Sequence, residues 1–147
     1  MGLENLIATL QVAVGPVILI SGVGLLVLSM TNRLGRLIDR ARLLLEACRA
    51  GAAMEQTRLD AQLKILWLRA HLLRAAIAWA SAGALLAALL VIVLFLCLLF
   101  HWQQVVFIVI LFGGCMAAII VSLLYFIRDI NLSLHALKLE MNPEIAE

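Results

Sequence analysis

The chain has 147 residues, of which 65% are hydrophobic and only 14% are charged, with a formal net charge of +2 at pH 7. Soluble domains carry about 25% charged residues, and a soluble chain of this length could not hide so much apolar surface from water. The composition therefore excludes a soluble globular domain and indicates that lipid is the solvent.

Three uncharged segments are long enough to cross about 30 Å of hydrocarbon, which takes roughly 20 helical residues. They are residues 6–30, 75–100 and 105–127. Backbone N–H and C=O groups find no water in hydrocarbon, so each segment must be a helix. We expect an all-α, polytopic membrane protein in which residues 1–147 form a single membrane domain.

Lysine and arginine residues are concentrated on one side of these predicted spans. Nine of the eleven lie in the segment 31–74, whereas the residues before the first span and the turn at 101–104 carry none. Cytoplasmic loops are the ones enriched in Lys and Arg. The N-terminus is therefore predicted to lie outside, and the segment 31–74 and the tail 128–147 in the cytoplasm.

The segment 31–74 contains two stripes of apolar residues at intervals of three and four, one on each side of Gly51. The first stripe comprises Leu34, Leu37, Ala41, Leu44 and Cys48, and the second Leu59, Leu63, Leu66, Ala70, Leu73 and Ile77. This spacing is typical of amphipathic helices that pack along a seam. We expect two helices, each continuous with its span, that form an antiparallel coiled-coil hairpin in the cytoplasm.

Small residues in the second and third spans predict helix–helix contacts, because they allow two backbones to approach closely. The candidates are Ala80, Ala84 and Ala88 in the second span, Gly113 with Ala117 in the third, and Gly114 with Ala118 and Ser122 in the third.

The first helix has one face that is largely small or polar, although the flanking residues are Leu, Ile and Val. Its members are Glu4, Ala8, Gln11, Gly15, Ile18, Gly22, Leu26 and Ser29, and the same face continues to Arg33, Arg36 and Arg40. Surfaces that face lipid should be apolar. This face is therefore predicted to point toward another helix or toward water.

Two interpretations of this face are open. Ala8, Gly15, Gly22 and Ser29 recur every seven residues and would suit close helix packing. Alternatively, copies of the first helix around an axis would form a pore with Glu4 at its outer mouth and a basic vestibule at its inner end. A three-span chain encloses no water-filled path alone, so transport requires a homo-oligomer, and homo-oligomers are usually cyclic.

The arginines after the first span have three candidate roles. They fix the orientation of the chain at the cytoplasmic interface. They could form local ion pairs, for which Asp39 and Glu46 are the available carboxylates. They could also bind an anion or a lipid headgroup, as basic clusters beside a membrane do.

The stretch GPVILISGVGLLVLSMTNRLGRLIDRAR at 15–42 resembles that of a family of small bacterial three-span membrane proteins known only as a domain of unknown function. The resemblance is carried by Gly15-Pro16, Ser21-Gly22 and the motif T-N-R-L-x-R-x-x-D-R, which begins at Thr31. It covers essentially the whole chain, implies a bacterial cytoplasmic membrane and brings no activity. It marks the motif positions Asn32, Arg33, Arg36, Asp39 and Arg40 as candidates for a basic vestibule or an anion or lipid site.

Motifs for catalysis or metal binding are absent from the sequence. It has no H-E-x-x-H, G-x-S-x-G or phosphate-loop pattern, and its three histidines lie in different segments. No carboxylate lies within the three predicted spans, which argues against a proton relay. No aromatic platform accompanies the arginines, as nucleic-acid binding would favour. We expect no enzyme, no cofactor, no metal and no nucleic acid.

The favoured hypothesis is a homo-oligomeric pore for small ions, lined by the first helix, whose partners are lipids and further copies of the chain. The alternative is a non-conducting membrane scaffold or adaptor whose basic hairpin docks a protein partner or anionic lipid.

Overall fold

The computed structural model consists of three long α-helices. It describes residues 3–49, 56–100 and 105–141, and the side chains of residues 7, 10–46, 62–100 and 105–133. The helices are α1 (Leu3–Arg49), α2 (Gln56–Phe100) and α3 (Val105–Met141), and the described residues contain no β-strand. The prediction of an all-α protein is confirmed.

Each helix contains a segment that is long and apolar enough to cross a membrane. These segments are Leu10–Glu46, Gln62–Phe100 and Val105–Ser133, and at most 17% of the most apolar window in each is buried. A soluble protein would hide such windows in its core, whereas here most of their surface faces outward. The prediction of three membrane-length apolar helices is therefore confirmed, and the chain is a multi-pass membrane protein by length and composition.

The chain divides into two compact units. The first consists of Met1–Leu28 with Ala78–Ser122, and the second of Ser29–Ile77 with Leu123–Glu147. All three helices contribute to each unit. The single membrane domain over residues 1–147 stays a prediction.

In the first unit, α2 and α3 approach each other at Gly83. A Cβ atom placed on Gly83 would lie 3.0 Å from Ile119 Cγ1 and 3.6 Å from Ala118 Cβ. The Cys115 thiol donates a hydrogen bond of 3.2 Å to the Gly83 carbonyl oxygen. The absence of a side chain at Gly83 thus brings the two helices into close contact.

Only some of the small residues predicted to mediate helix–helix contacts are buried within the protomer. On α3, Ala118 and Ser122 are buried and Gly114 is half-buried, whereas Gly113 and Ala117 are exposed. Over residues 78–100 of α2, the buried positions are Ala80, Gly83, Ala87 and Leu90, while Ala84 is half-buried and Ala88 is exposed. Of the three alanines predicted on α2, Ala80 is therefore packed within the protomer, whereas the contact predicted at Ala88 is not made there and stays a prediction.

In the second unit, the core is a cluster of apolar side chains from all three helices. Met30 and Leu37 of α1 pack with Leu73 and Ala76 of α2, and Tyr125 and Phe126 of α3 pack against them. Members of both stripes predicted for the segment 31–74 are buried or half-buried on their helices, whereas the side chains of Cys48 and Leu59 lie outside the described residues, as does Gly51. The coiled-coil geometry of the hairpin stays a prediction.

Candidate functional site

The small and polar face of α1 is exposed on the protomer. Gln11, Gly15, Ile18, Gly22 and Ser29 are all exposed, and Leu26 is half-buried. The buried side chains of α1 lie on a different face and are Ala13, Val23, Met30 and Leu37. Glu4 and Ala8 belong to α1, but their side chains lie outside the described residues.

The two glycines of this face are not needed for packing within the protomer. A Cβ atom placed on Gly15 or on Gly22 would meet nothing within 4 Å, in contrast to the crowded position of Gly83. Small residues at these two positions are therefore not explained by contacts inside one chain.

Further along α1, toward its C-terminal end, Arg33 contacts a carboxylate of α3. Asp129 is fully buried in the second unit. Its Oδ2 atom lies 3.5 Å from Nε of Arg33, and its Oδ1 atom lies 3.5 Å from Nε of Arg69. A single carboxylate thus faces guanidinium groups from both α1 and α2.

Two further contacts hold these arginines in place. Arg69 donates a hydrogen bond from Nη2 to the hydroxyl oxygen of Ser133, at 2.9 Å. The guanidinium carbon of Arg33 lies 5.7 Å from the centroid of the Phe126 ring, within the range of a cation–π interaction. Asp129 Oδ2 has the Arg33 ion pair but no hydrogen-bond partner among the described residues.

These residues border a polar cavity of about 430 Å³ in the second unit, which we call the arginine cavity. Its lining consists of Ser29, Arg33, Arg36, Leu37, Arg40, Arg69, Phe126 and Ser133. The structure therefore brings three predicted arginines of α1 together with one arginine of α2. The other two motif residues of the prediction, Asn32 and Asp39, are exposed and do not belong to the lining.

A second, apolar cavity of about 860 Å³ lies between α1 and α2 in the same unit, and we call it the apolar groove. It is lined chiefly by Leu37, Ile38, Ala41, Leu45, Leu63, Leu66, Trp67, Leu68 and Ala70. Trp67 is 70% exposed and stacks on His71, with ring centroids 5.7 Å apart. The ring of Trp67 is therefore exposed in this groove, close to the charged lining residues Arg42 and Lys64.

Sequence reasoning missed Asp129, Arg69 and Ser133 as members of the site. The third span was predicted to end at Ile127, and Asp129 was assigned to the cytoplasmic tail 128–147 with no partner named for it. Asp129 in fact lies on the helical continuation of this span in α3, where it is fully buried against arginines of α1 and α2. The sequence contained a usable signal, because Cys115, Ser122 and Asp129 recur every seven residues and so share one helical face. The structure buries all three side chains.

In chemical terms, the arginine cavity offers several N–H donors and two hydroxyl groups. Guanidinium groups are donors only and match the oxygens of carboxylates and phosphates. Among the described residues, no group of three His, Cys, Asp or Glu side chains could hold a metal ion. The cavity is thus suited to an oxyanion.

Comparison with known proteins gives a family for this chain. No curated protein and no solved structure matches it. One family model matches residues 13–139, which include both cavities, the exposed face of α1 from Gly15 onward, the second and third apolar segments and the first from Ala13 onward. The predicted resemblance to an uncharacterised family is confirmed, and the chain belongs to the family described as Protein of unknown function (DUF2721).

Proposed function

We propose that the protein is a homo-oligomeric membrane pore for small ions, in which copies of α1 turn their small and polar face toward the symmetry axis. One observation carries the proposal. The face that includes Gln11, Gly15 and Gly22 is exposed on the protomer, although it lies within an apolar, membrane-length segment.

Leaving this face in contact with lipid would cost free energy, because it contains a glutamine. A glutamine in hydrocarbon lacks hydrogen-bond partners, and such a group costs several kcal/mol in order of magnitude. Packing α1 against copies of itself removes Gln11 from lipid. The glycines at positions 15 and 22 then allow a close approach between copies.

In the proposed assembly, Glu4 lies at the outer mouth and Gln11 below it. Gly15, Ile18, Gly22 and Leu26 form a narrow apolar neck, and such constrictions gate pores by excluding water. Arg36 and Arg40 supply positive charge at the inner end. The protein would reside in a bacterial cytoplasmic membrane with its N-terminus outside, and residues 31–74 would form a coiled-coil hairpin in the cytoplasm.

Cysteine accessibility tests the position of this face. Single cysteines at Gln11, Ile18 and Gly22 are introduced into a chain in which Cys48 and Cys97 are alanine and the buried Cys115 is kept. A water-soluble thiol reagent should label all three positions in membranes. The matched control is Val17→Cys, which is exposed on a different face of α1 and should stay protected by lipid. Protection at all three test positions would rule out a water-filled path along this face.

Electrical recording tests conduction itself. Purified protein reconstituted in planar bilayers should conduct, and the positive inner end should favour anions over cations. Arg36→Glu replaces an exposed positive charge by a negative one and should shift the reversal potential toward cation preference. Bilayers that stay silent across voltage, membrane tension and pH would contradict the pore.

A second candidate function is favoured by the apolar groove. In a non-conducting scaffold, the groove beside Trp67 would receive an amphipathic helix of a partner protein, a common mode of recognition. This candidate predicts protected cysteines on the α1 face together with binding that is lost in Trp67→Ala.

A further inference from the structure

We propose that the arginine cavity is a binding site for a phosphate oxyanion, formed within a single protomer. The site does not depend on the pore, because every lining residue belongs to one unit of one chain.

The first argument is an excess of positive charge. Four arginines line the cavity, and no carboxylate is among its described lining residues. Asp129 provides the counter-charge for Arg33 and Arg69. Arg36 is exposed and has no carboxylate partner among the residues that the structure describes. An anion in the cavity would supply the negative charge that Arg36 lacks.

The second argument is the supply of hydrogen-bond donors. Arg33 and Arg69 approach Asp129 through Nε, and each guanidinium group has five N–H donors in total. Ser133 accepts a hydrogen bond from Arg69, so its own hydroxyl hydrogen remains able to donate. Ser29 adds an exposed hydroxyl group. Phosphate, with several acceptor oxygens, matches this set of donors better than a halide ion does.

The third argument is that two of the four arginines, Arg33 and Arg69, and Ser133 are held before any ligand arrives. Asp129 holds Arg33 and Arg69 from the buried side, and Phe126 lies against Arg33. Side chains that are already ordered lose less conformational entropy on binding. The cavity is therefore preorganised around Arg33 of α1, Arg69 of α2 and Ser133 of α3.

The position of the cavity along the helices suits a membrane lipid as the source of the phosphate. Ser29, Arg69 and Ser133 each lie within about two helical turns of an end of the predicted spans 6–30, 75–100 and 105–127. Basic pockets between transmembrane helices bind anionic headgroups at this level. A soluble phosphate would offer the same oxygens, so the two sources are separated by experiment.

The test measures binding to the full-length protein in a neutral detergent by isothermal titration calorimetry. The probes are inorganic phosphate, a short-chain phosphatidylglycerol and a short-chain phosphatidylcholine. The variants are Arg36→Gln, which removes the exposed positive charge, and Arg42→Gln as the matched control. Arg42 is an exposed arginine of α1 that lines the apolar groove and not the arginine cavity.

Binding should weaken about tenfold in Arg36→Gln, as expected for the loss of one charge-assisted contact, and should be unchanged in Arg42→Gln. Saturable binding of phosphatidylglycerol, without binding of inorganic phosphate or phosphatidylcholine, identifies an anionic lipid headgroup as the ligand. Saturable binding of inorganic phosphate identifies a soluble anion. If no probe binds, or if both variants bind as the unmodified protein does, the site is refuted. Conduction in bilayers is measured separately, so the pore and the phosphate site can fail independently.

Discussion

At the scale of single residues, Asp129 organises the second unit. A buried carboxylate is tolerated in an apolar region only if opposite charges and hydrogen-bond donors compensate for the loss of water. Arg33 and Arg69 provide that compensation from two other helices. The ion pairs therefore fix the relative register of α1, α2 and α3 within this unit.

Removing Asp129 should destabilise the protein strongly, since two guanidinium groups would lose their counter-charge in a largely buried position. Both arginines keep some exposure, with 27% and 13% of their side chains accessible. We therefore expect Asp129→Ala to lower the free energy of unfolding by about 2–4 kcal/mol. Asp129→Asn, which keeps the size and one acceptor oxygen, should cost less. Thermal unfolding in detergent measures both changes.

The control for this prediction is Asp39→Asn, because Asp39 is an exposed carboxylate of the sequence motif. It should leave the unfolding temperature unchanged within about a degree, as exposed ion pairs contribute little. Equal stability of Asp129→Ala and the unmodified protein would show that the two ion pairs add nothing to the fold.

The sequence predicts which residues of α1 are charged, but not where their partners lie. Arg33, Arg36 and Arg40 were recognised from their helical spacing beside an apolar run. Asp129 was missed, because hydropathy marks the end of a span at the first charge and cannot tell a paired charge from a solvated one. Arg69 and Ser133 were missed for the same reason, since their proximity depends on the packing of three helices.

At the scale of helices, length and apolar composition were sufficient to predict all three elements. The finer question was which face of α2 packs. A four-residue interval suggested Ala80, Ala84 and Ala88, whereas the observed face alternates steps of three and four through Ala80, Gly83, Ala87 and Leu90. A four-residue step drifts around a helix of 3.6 residues per turn, while an average step of 3.5 keeps one face toward a neighbour.

A large side chain at Gly83 should push α2 and α3 apart. Its Cβ atom would lie 3.0 Å from Ile119 Cγ1 and 3.5 Å from the Cys115 carbonyl oxygen, and only the first of these can move easily. We expect Gly83→Leu to lower the free energy of unfolding by about 1–3 kcal/mol through overpacking. The matched control is Gly113→Leu, because a Cβ at the exposed Gly113 meets nothing within 4 Å. Unfolding temperatures in detergent that fall equally in both variants would contradict a specific close contact at Gly83.

At the scale of the whole molecule, lipid can cover the exposed apolar surface of the helices but not the exposed polar face of α1. Lipid covers the apolar surface of all three helices without further help. It cannot satisfy Gln11, and the two glycines at positions 15 and 22 have no crowding neighbour within the protomer. In the proposed oligomer, further copies of the chain would cover this face of the first helix.

Blocking this face should separate the copies without unfolding the protomer. Gly22→Leu adds a side chain where the protomer has open space, so we expect no loss of unfolding temperature. If copies of α1 pack closely along this face, the added side chain should convert the oligomer to smaller species, because glycine permits an approach that leucine prevents. Gly24→Leu is the matched control, since Gly24 has equally open surroundings on another face of α1 and should leave assembly intact. Light scattering coupled to size-exclusion chromatography in detergent measures the mass, and an oligomer that survives Gly22→Leu unchanged would remove the central feature of the proposed pore.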